Sequence, residues 1–84
     1  MSDIPAISGN QLIALLQKDG WTLAGQRTHG VALKKADDSG RVRVALIKPT
    51  SKSLPEQTLG GILSVKQSGI GRKGLRELIE KYGL

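Results

Sequence analysis

Near the start of the chain, apolar residues recur at i, i+3 and i+4, the spacing of an amphipathic helix. They are Leu12, Leu15 and Leu16. Ser8, followed three residues later by Gln11, matches a capping box, and Gly20 stands where a left-handed glycine ends a helix. Ile7 and Leu12 match a hydrophobic staple across the start of the same helix. We therefore predict a first helix that packs its leucine stripe into the core.

Alternating apolar and polar residues then predict strands. Trp21 and Leu23 share one face of the run 21–27, and we expect that face to lie on the first helix, with Trp21 as a core anchor. Val31 and Leu33 repeat the alternation after the turn that follows Arg27. The two runs are short enough and close enough to form a hairpin.

The run 41–48 shows the clearest alternation in the chain. Three apolar residues point one way: Val42, Val44 and Leu46. Arg41 and Arg43 point the other way, and we expect them to face water. Residues 36–40 have the composition of a turn. Consecutive strands joined by short turns predict an antiparallel meander.

Two further helices follow the strands. Ser53 and Glu56 match a second capping box with Pro55 in the first turn, and Gly69 marks the predicted end of that helix. Its apolar stripe is Leu59, Ile62 and Leu63. Gly60 and Gly61 interrupt this stripe, which indicates either a close approach to a strand or a weak helix. A short last helix carries Leu75, Leu78, Ile79 and Tyr82 at helical spacing.

The order of the elements predicts the α+β class with a three-stranded antiparallel sheet. The run 69–74 spells GxGxxG, but it follows a helix and lacks a surrounding βαβ unit. We interpret it as a turn into the last helix rather than as a dinucleotide site.

Composition narrows the function classes. The 84 residues suffice for one domain, 1–84, and contain no cysteine. With one His and seven scattered carboxylates, we expect no metal site and no cofactor. No apolar run reaches the length of a membrane span, and residues 1–5 do not resemble a secretory signal. We expect a cytoplasmic protein that does not bind membranes.

Charge points to an anionic partner. The formal net charge is +6, and basic residues concentrate in the strand region. They are Arg27, Lys34, Lys35, Arg41, Arg43, Lys48 and Lys52. On adjacent strands they would form one phosphate-binding patch, although a solvated sheet face explains the same pattern. Aromatic residues are almost absent, which favours recognition of the RNA backbone or shape over base stacking.

His29 is the one histidine, and it lies in the turn between the first two strands. An imidazole titrates near pH ~6.5 and both accepts and donates protons under cellular conditions. Cleavage of RNA requires such transfers at the 2′-hydroxyl and the leaving 5′-oxygen, with positive charge on the phosphate. The alternative is that His29 is only a solvent-exposed turn residue with no catalytic role.

The order of these features resembles the HicA toxins of bacterial toxin–antitoxin pairs. A capped helix ends in Gly20-Trp21, a basic turn ends in Thr28-His29, and a strand and Pro-containing loop precede Thr58-Leu59-Gly60-Gly61-Ile62-Leu63. Ser68-Gly69-Ile70 also resembles the helix ending of the family. The likeness covers about residues 11–70.

The resemblance implies a double-stranded-RNA-binding-like α-β-β-β-α fold and metal-independent cleavage of mRNA. It assigns the catalytic role to His29 and implies neutralisation by a HicB-like antitoxin protein. The candidate RNA contacts are Arg27, Thr28, Lys34, Lys35, Arg41, Arg43 and Lys48. The chain departs from the family by Arg27-Thr28 in place of Gly-Ser, and by the absence of a histidine from 48–51. The alternative function is therefore a non-catalytic module that binds RNA or a partner.

Overall fold

The computed structural model describes residues 6–28 and 30–83, with the side chain of Arg27 excepted. It is an α+β structure, as predicted. Its elements are α1 (Gly9–Lys18), β1 (Thr22–Arg27), β2 (Gly30–Ala36), β3 (Val42–Ile47), α2 (Glu56–Leu63) and α3 (Gly71–Tyr82). The strands form one antiparallel sheet in the order β1-β2-β3.

Helix α1 forms as its sequence predicts. The Ser8 hydroxyl accepts a hydrogen bond from the Gln11 amide at 3.1 Å, and the Gln11 side chain accepts one from the Ser8 amide at 2.9 Å. These reciprocal bonds satisfy two amides that a helix start would otherwise leave unpaired. All three leucines of the stripe are buried, and Gly20 has φ +100° after the C-cap Asp19.

The core lies between one face of the sheet and the helices. Leu33 on β2 pairs across the sheet with Ala45 on β3, and Val31 pairs with Ile47. All four side chains are buried. Helices α1 and α2 contact β3, and α3 contacts α1 and α2. Trp21 joins this core at the start of β1, as predicted.

The prediction for the two faces of β3 is wrong. Val42, Val44 and Leu46 are 57%, 47% and 40% exposed, whereas Ala45 and Ile47 are fully buried. Directly opposed residues in an antiparallel pair share a face. Leu33 belongs to the core under the helices, so its partner Ala45 lies on the same face. The apolar stripe of Val42, Val44 and Leu46 therefore lies on the outer face of the sheet. Arg43 consequently lies on the helix side, where only a quarter of its side chain is exposed.

Leu23 is also exposed, contrary to prediction. It pairs with Leu33 and so lies on the helix side of the sheet. However, β1 is the edge strand farthest from β3, the strand that α1 and α2 contact. The register also shifts between Leu23 and Gly25. The side chain of Leu23 therefore extends past the cover that the helices provide.

The second predicted capping box does not form. Helix α2 begins after Pro55, and no side chain caps it. The backbone of Ser53 instead makes an antiparallel bridge with Ser8, and the Leu54 amide donates to the Ile7 carbonyl at 2.8 Å. This pairing holds Ser53 in extended backbone, outside the helix that follows.

Helix α2 ends at Leu63, before the predicted stop at Gly69, although its apolar stripe is buried as predicted. The Ser64 hydroxyl donates to the Gly61 carbonyl at 2.6 Å, and the Ser68 hydroxyl donates to the Ile62 carbonyl at 2.6 Å. Serine side chains that bond to nearby carbonyls compete with continued helix. Residues 64–68 therefore form a turn.

Helix α3 is longer than predicted. It has 12 residues, against 10 in α1 and 8 in α2. The predicted stripe of Leu75, Leu78, Ile79 and Tyr82 packs against the core. Only residues 69 and 70 of the GxGxxG run precede this helix; residues 71–74, which were predicted to lie in a turn, form its first turn. Among the described residues, no helix has both the length and the apolarity needed to cross a membrane.

The predicted turn between β2 and β3 is built on Asp37. Its carboxylate accepts hydrogen bonds from the Ser39 hydroxyl at 2.6 Å and from the amides of Ser39 and Arg41 at 3.0 Å. The Ser39 hydroxyl, those two amides and the side chain of Arg43 lower the pKa of Asp37 from its usual 3.8. The charged carboxylate therefore stabilises the folded turn.

Two helical glycines should respond oppositely to alanine. Gly61 is exposed, and an added Cβ would meet nothing within 4 Å, so we expect Gly61→Ala to stabilise the protein by about 0.5–1 kcal/mol. At Gly9 a Cβ would overlap the carbonyl oxygen of Lys48, and we expect Gly9→Ala to cost roughly 1–3 kcal/mol. Urea unfolding of each variant measures both values, and equal effects would contradict the packing described.

Acid should remove the contribution of Asp37. Because its folded pKa lies below 3.8, its stabilising effect is present above pH 3.8 and is lost as the pH falls through the folded value. We expect Asp37→Asn to lower the midpoint of thermal unfolding at pH 7, and this difference to shrink below pH 3.8. Asp38→Asn, at the exposed neighbouring position, is the matched control and should cause no such pH-dependent difference.

Candidate nucleic-acid interface

The turn between β1 and β2 is the centre of the predicted site. Arg27 pairs with Gly30 across the two strands, and positions 28 and 29 of the sequence connect them. Thr28 is exposed. His29 and the side chain of Arg27, both predicted to act on RNA, lie outside the described part of the structure.

Gly30 fixes the position of this turn. A Cβ on Gly30 would lie 3.0 Å from the Ile47 carbonyl oxygen and 3.3 Å from the Lys48 amide nitrogen. The backbones therefore approach so closely that a larger residue would push them apart by a few tenths of an ångström. This contact places Lys48, which is exposed, directly beside the Thr28 turn.

The start of α1 packs against the same stretch of chain. Gly9 lies against the Lys48 carbonyl, and the Asn10 amide donates to the Thr50 carbonyl at 3.1 Å. We call the end of the molecule formed by Thr28, Gly30, residues 48–50 and the start of α1 the turn end. Thr28 and Lys48, both exposed, belong to this end of the molecule.

Lys34 and Lys35 are adjacent in sequence but lie on opposite faces of the sheet. Lys34 is exposed and pairs with Val44 on the outer face. Lys35 lies on the helix side, where its ammonium donates to the Asp19 carbonyl at 2.7 Å and lies 3.1 Å from the Asp19 carboxylate. Asp19 is the C-cap of α1, so Lys35 stabilises the negative end of that helix.

Arg43 is likewise held by the protein. Its guanidinium donates to the Val65 carbonyl and lies 3.5 Å from the Asp37 carboxylate. Arg41, by contrast, is exposed at the entrance to β3. The predicted basic cluster is therefore divided: Lys35 and Arg43 oppose each other on the helix side, while Lys34 faces outwards and Lys48 lies at the turn end.

A groove of about 270 Å³ lies beside these two ion pairs. Trp21 contributes to its lining, and Lys35 and Arg43 stand with Asp19, Asp37 and Asp38 around it. The Trp21 indole nitrogen is buried without a hydrogen-bond partner among the described residues. Because three carboxylates offset two cations, this groove is poorly suited to a phosphate.

Sequence reasoning missed the scaffold of the turn end. Neither Gly9 nor Thr50 has a charged or catalytic side chain that would mark it as part of a site. Their contacts join parts of the chain that lie far apart in sequence. The one available signal was a glycine in the first turn of an otherwise well-capped helix. Within the described residues, no three His, Cys, Asp or Glu side chains come together in a way that could hold a metal ion.

Comparison of the chain with protein-family models, with curated proteins and with solved structures gave no match.

Proposed function

We propose that the chain is a HicA-like ribonuclease toxin that cleaves mRNA at the turn end, with His29 as general acid or base. The observation that carries the proposal is the contact of Gly30 with residues 47 and 48, which sets an exposed lysine beside the His29 turn. The three strands also contain no Asp or Glu, so their charged side chains are all cationic. Both features favour an approaching phosphate.

The arrangement of the elements supports a double-stranded-RNA-binding-like fold. Helix α1 precedes three antiparallel strands in the order β1-β2-β3, and α2 follows them. Proteins of that fold read the shape and backbone of RNA rather than stacked bases. A chain with one Trp, one Tyr and no Phe is suited to the same mode of recognition.

The chemistry that we propose is internal attack by the ribose. The imidazole of His29 takes the proton of the 2′-hydroxyl, and the 2′-oxygen attacks the adjacent phosphorus. The bond to the 5′-oxygen breaks, and a second acid protonates this leaving oxygen. The products are a 2′,3′-cyclic phosphate and a 5′-hydroxyl. Lys48 neutralises charge that develops on the phosphate.

A HicB-like antitoxin is the regulatory partner that we propose for this site. By covering Thr28 and Lys48 it would exclude RNA from the turn end. Footprinting of the complex tests this idea, because an RNA that still reaches the turn in the presence of bound antitoxin would contradict occlusion.

A non-catalytic module that binds RNA or a partner protein is the second candidate. It is favoured by the ion pairs of Lys35 and Arg43, which occupy two of the cations that were predicted to hold phosphate. Arg27-Thr28 in place of Gly-Ser also changes the turn that presents His29. Expression in a bacterium distinguishes the two candidates: the ribonuclease arrests growth, whereas the module does not.

His29→Ala should greatly slow cleavage, whereas RNA binding should weaken no more than a few-fold. General acid–base catalysis contributes about 10²–10⁴-fold, so we expect the rate of cleavage of a synthetic RNA to fall at least about a hundredfold. Gln17→Ala, at an exposed position on α1, is the control and should cleave at the wild-type rate. Wild-type cleavage by the His29 variant would refute the assignment.

Lys48→Ala should weaken RNA binding through loss of one phosphate contact. We expect the slope of log K against log salt to fall by about 0.7 for a single-stranded RNA. Lys18→Ala is matched in charge but lies in the last turn of α1, away from the turn end. Fluorescence anisotropy over a salt series measures both slopes, and an equal change in the two variants would mean that binding is not centred on the turn end.

A further inference from the structure

Exposed large apolar side chains cluster around β3. Five are exposed among the described residues, and three of them form the outer stripe of this strand. A fourth, Val65, is 74% exposed in the turn 64–68, which runs along the edge of β3. Only Leu23 lies elsewhere, on the helix side of β1. Clustering of this kind marks a surface that a partner covers.

Two small residues of β2 lie beside the stripe. On β2, Ala36 lies opposite Val42 and Ala32 lies opposite Leu46. Between the two alanines, Lys34 lies opposite Val44. Ala36 is exposed and extends the apolar stripe onto the neighbouring strand, whereas Ala32 is buried beside Leu46.

Both edges of the sheet are obstructed over part of their length. The Leu46 amide donates to the Gln67 side chain at 2.9 Å, and Arg43 donates to the Val65 carbonyl, so the turn 64–68 occupies the β3 edge. The register shift beside Gly25 disrupts the β1 edge. A partner must therefore lie across the face, as a helix does in layered α and β structures.

The positive charge around the stripe favours an acidic partner. Lys34 flanks the stripe on the β2 side, Lys66 lies in the turn on the other side, and Lys48 follows the end of β3; all three are exposed. A second copy of the chain would bring these lysines against one another, because like surfaces meet at a two-fold interface. The net charge of +6 adds to that repulsion.

The length of the stripe fits a helix. From Val42 to Leu46 the strand makes four residue-to-residue steps, about 13 Å at ~3.3 Å per residue. That distance matches about two and a half turns of an α-helix with a pitch of ~5.4 Å.

We propose that the outer face of β3 docks an amphipathic helix of a partner protein, with apolar residues on the stripe and carboxylates over the flanking lysines. The surface shares Lys48 with the turn end but otherwise consists of other residues, and the inference does not depend on ribonuclease activity. RNA is a poor fit for this face, because the outward residues of the stripe are aliphatic and carry no charge that would neutralise a phosphate.

Two synthetic 18-residue helical peptides test the proposal. They share one leucine stripe, which is flanked by Glu in the first and by Lys in the second. Titration of the full 15N-labelled chain should show saturable shifts of β3 amides with the Glu peptide and at least about tenfold weaker binding of the Lys peptide. We also expect His29→Ala to leave both affinities unchanged, which separates this test from the catalytic proposal.

Val44→Thr with Leu46→Thr should weaken the Glu peptide at least about tenfold by removing apolar contact area. Leu23→Thr is the matched control, because Leu23 is 57% exposed but lies on the other face, and it should bind normally. Since all three side chains are exposed, the variants should fold, and their amide spectra report this directly.

Five results would overturn the proposal. Three come from the peptides: equal binding of the Lys and Glu peptides, an equal loss of affinity in the Leu23 variant, or shifts confined to residues outside β3 and its neighbours. A single-stranded 12-nucleotide RNA that shifts the same β3 amides would assign the face to nucleic acid. A doubled mass in solution, reversed by the double threonine variant, would assign it to a second copy of the chain.

Discussion

Two glycines pack against one short stretch of backbone, and the arrangement of the molecule depends on this contact. Gly9 begins α1 against the Lys48 carbonyl, and Gly30 begins β2 against Ile47 and Lys48. The close approach fixes helix, hairpin and third strand relative to one another at a single point. The side chains of the core then pack between the sheet and the helices that this contact positions. Because the same contact holds the His29 turn beside Lys48, the fold and the proposed site share one constraint.

Local signals in the sequence were sufficient for the elements. The Ser8 capping box, the leucine stripes and the turn at Asp37 act over a few residues, and all were predicted correctly. The second capping box failed because Ser53 found a distant partner in Ser8, which no local pattern reveals. The helix that was expected to reach Gly69 failed for a related reason, since Ser64 and Ser68 bond back to carbonyls of α2.

The faces of β3 show where alternation stops being informative. Alternation along β3 places Val42, Val44 and Leu46 on one face and Ala45 and Ile47 on the other. It does not show which of the two faces the helices cover. Cross-strand pairing with Leu33 decides the matter, and pairing is a tertiary property. The same limit applied to the candidate site: adjacent positions put Lys34 and Lys35 on opposite faces, and only the structure shows that Asp19 holds Lys35.

The turn 64–68 has a consequence for the behaviour of the protein at high concentration. The segment Val-Arg-Val-Ala-Leu-Ile of β3 is rich in β-branched and aliphatic residues, a composition that favours intermolecular cross-β assembly when its backbone is accessible. The side chain of Gln67 accepts a hydrogen bond from the Leu46 amide of that strand, and the carbonyl of Val65 accepts one from the Arg43 side chain. The turn 64–68 therefore lies along part of the edge at which another chain would otherwise pair with β3.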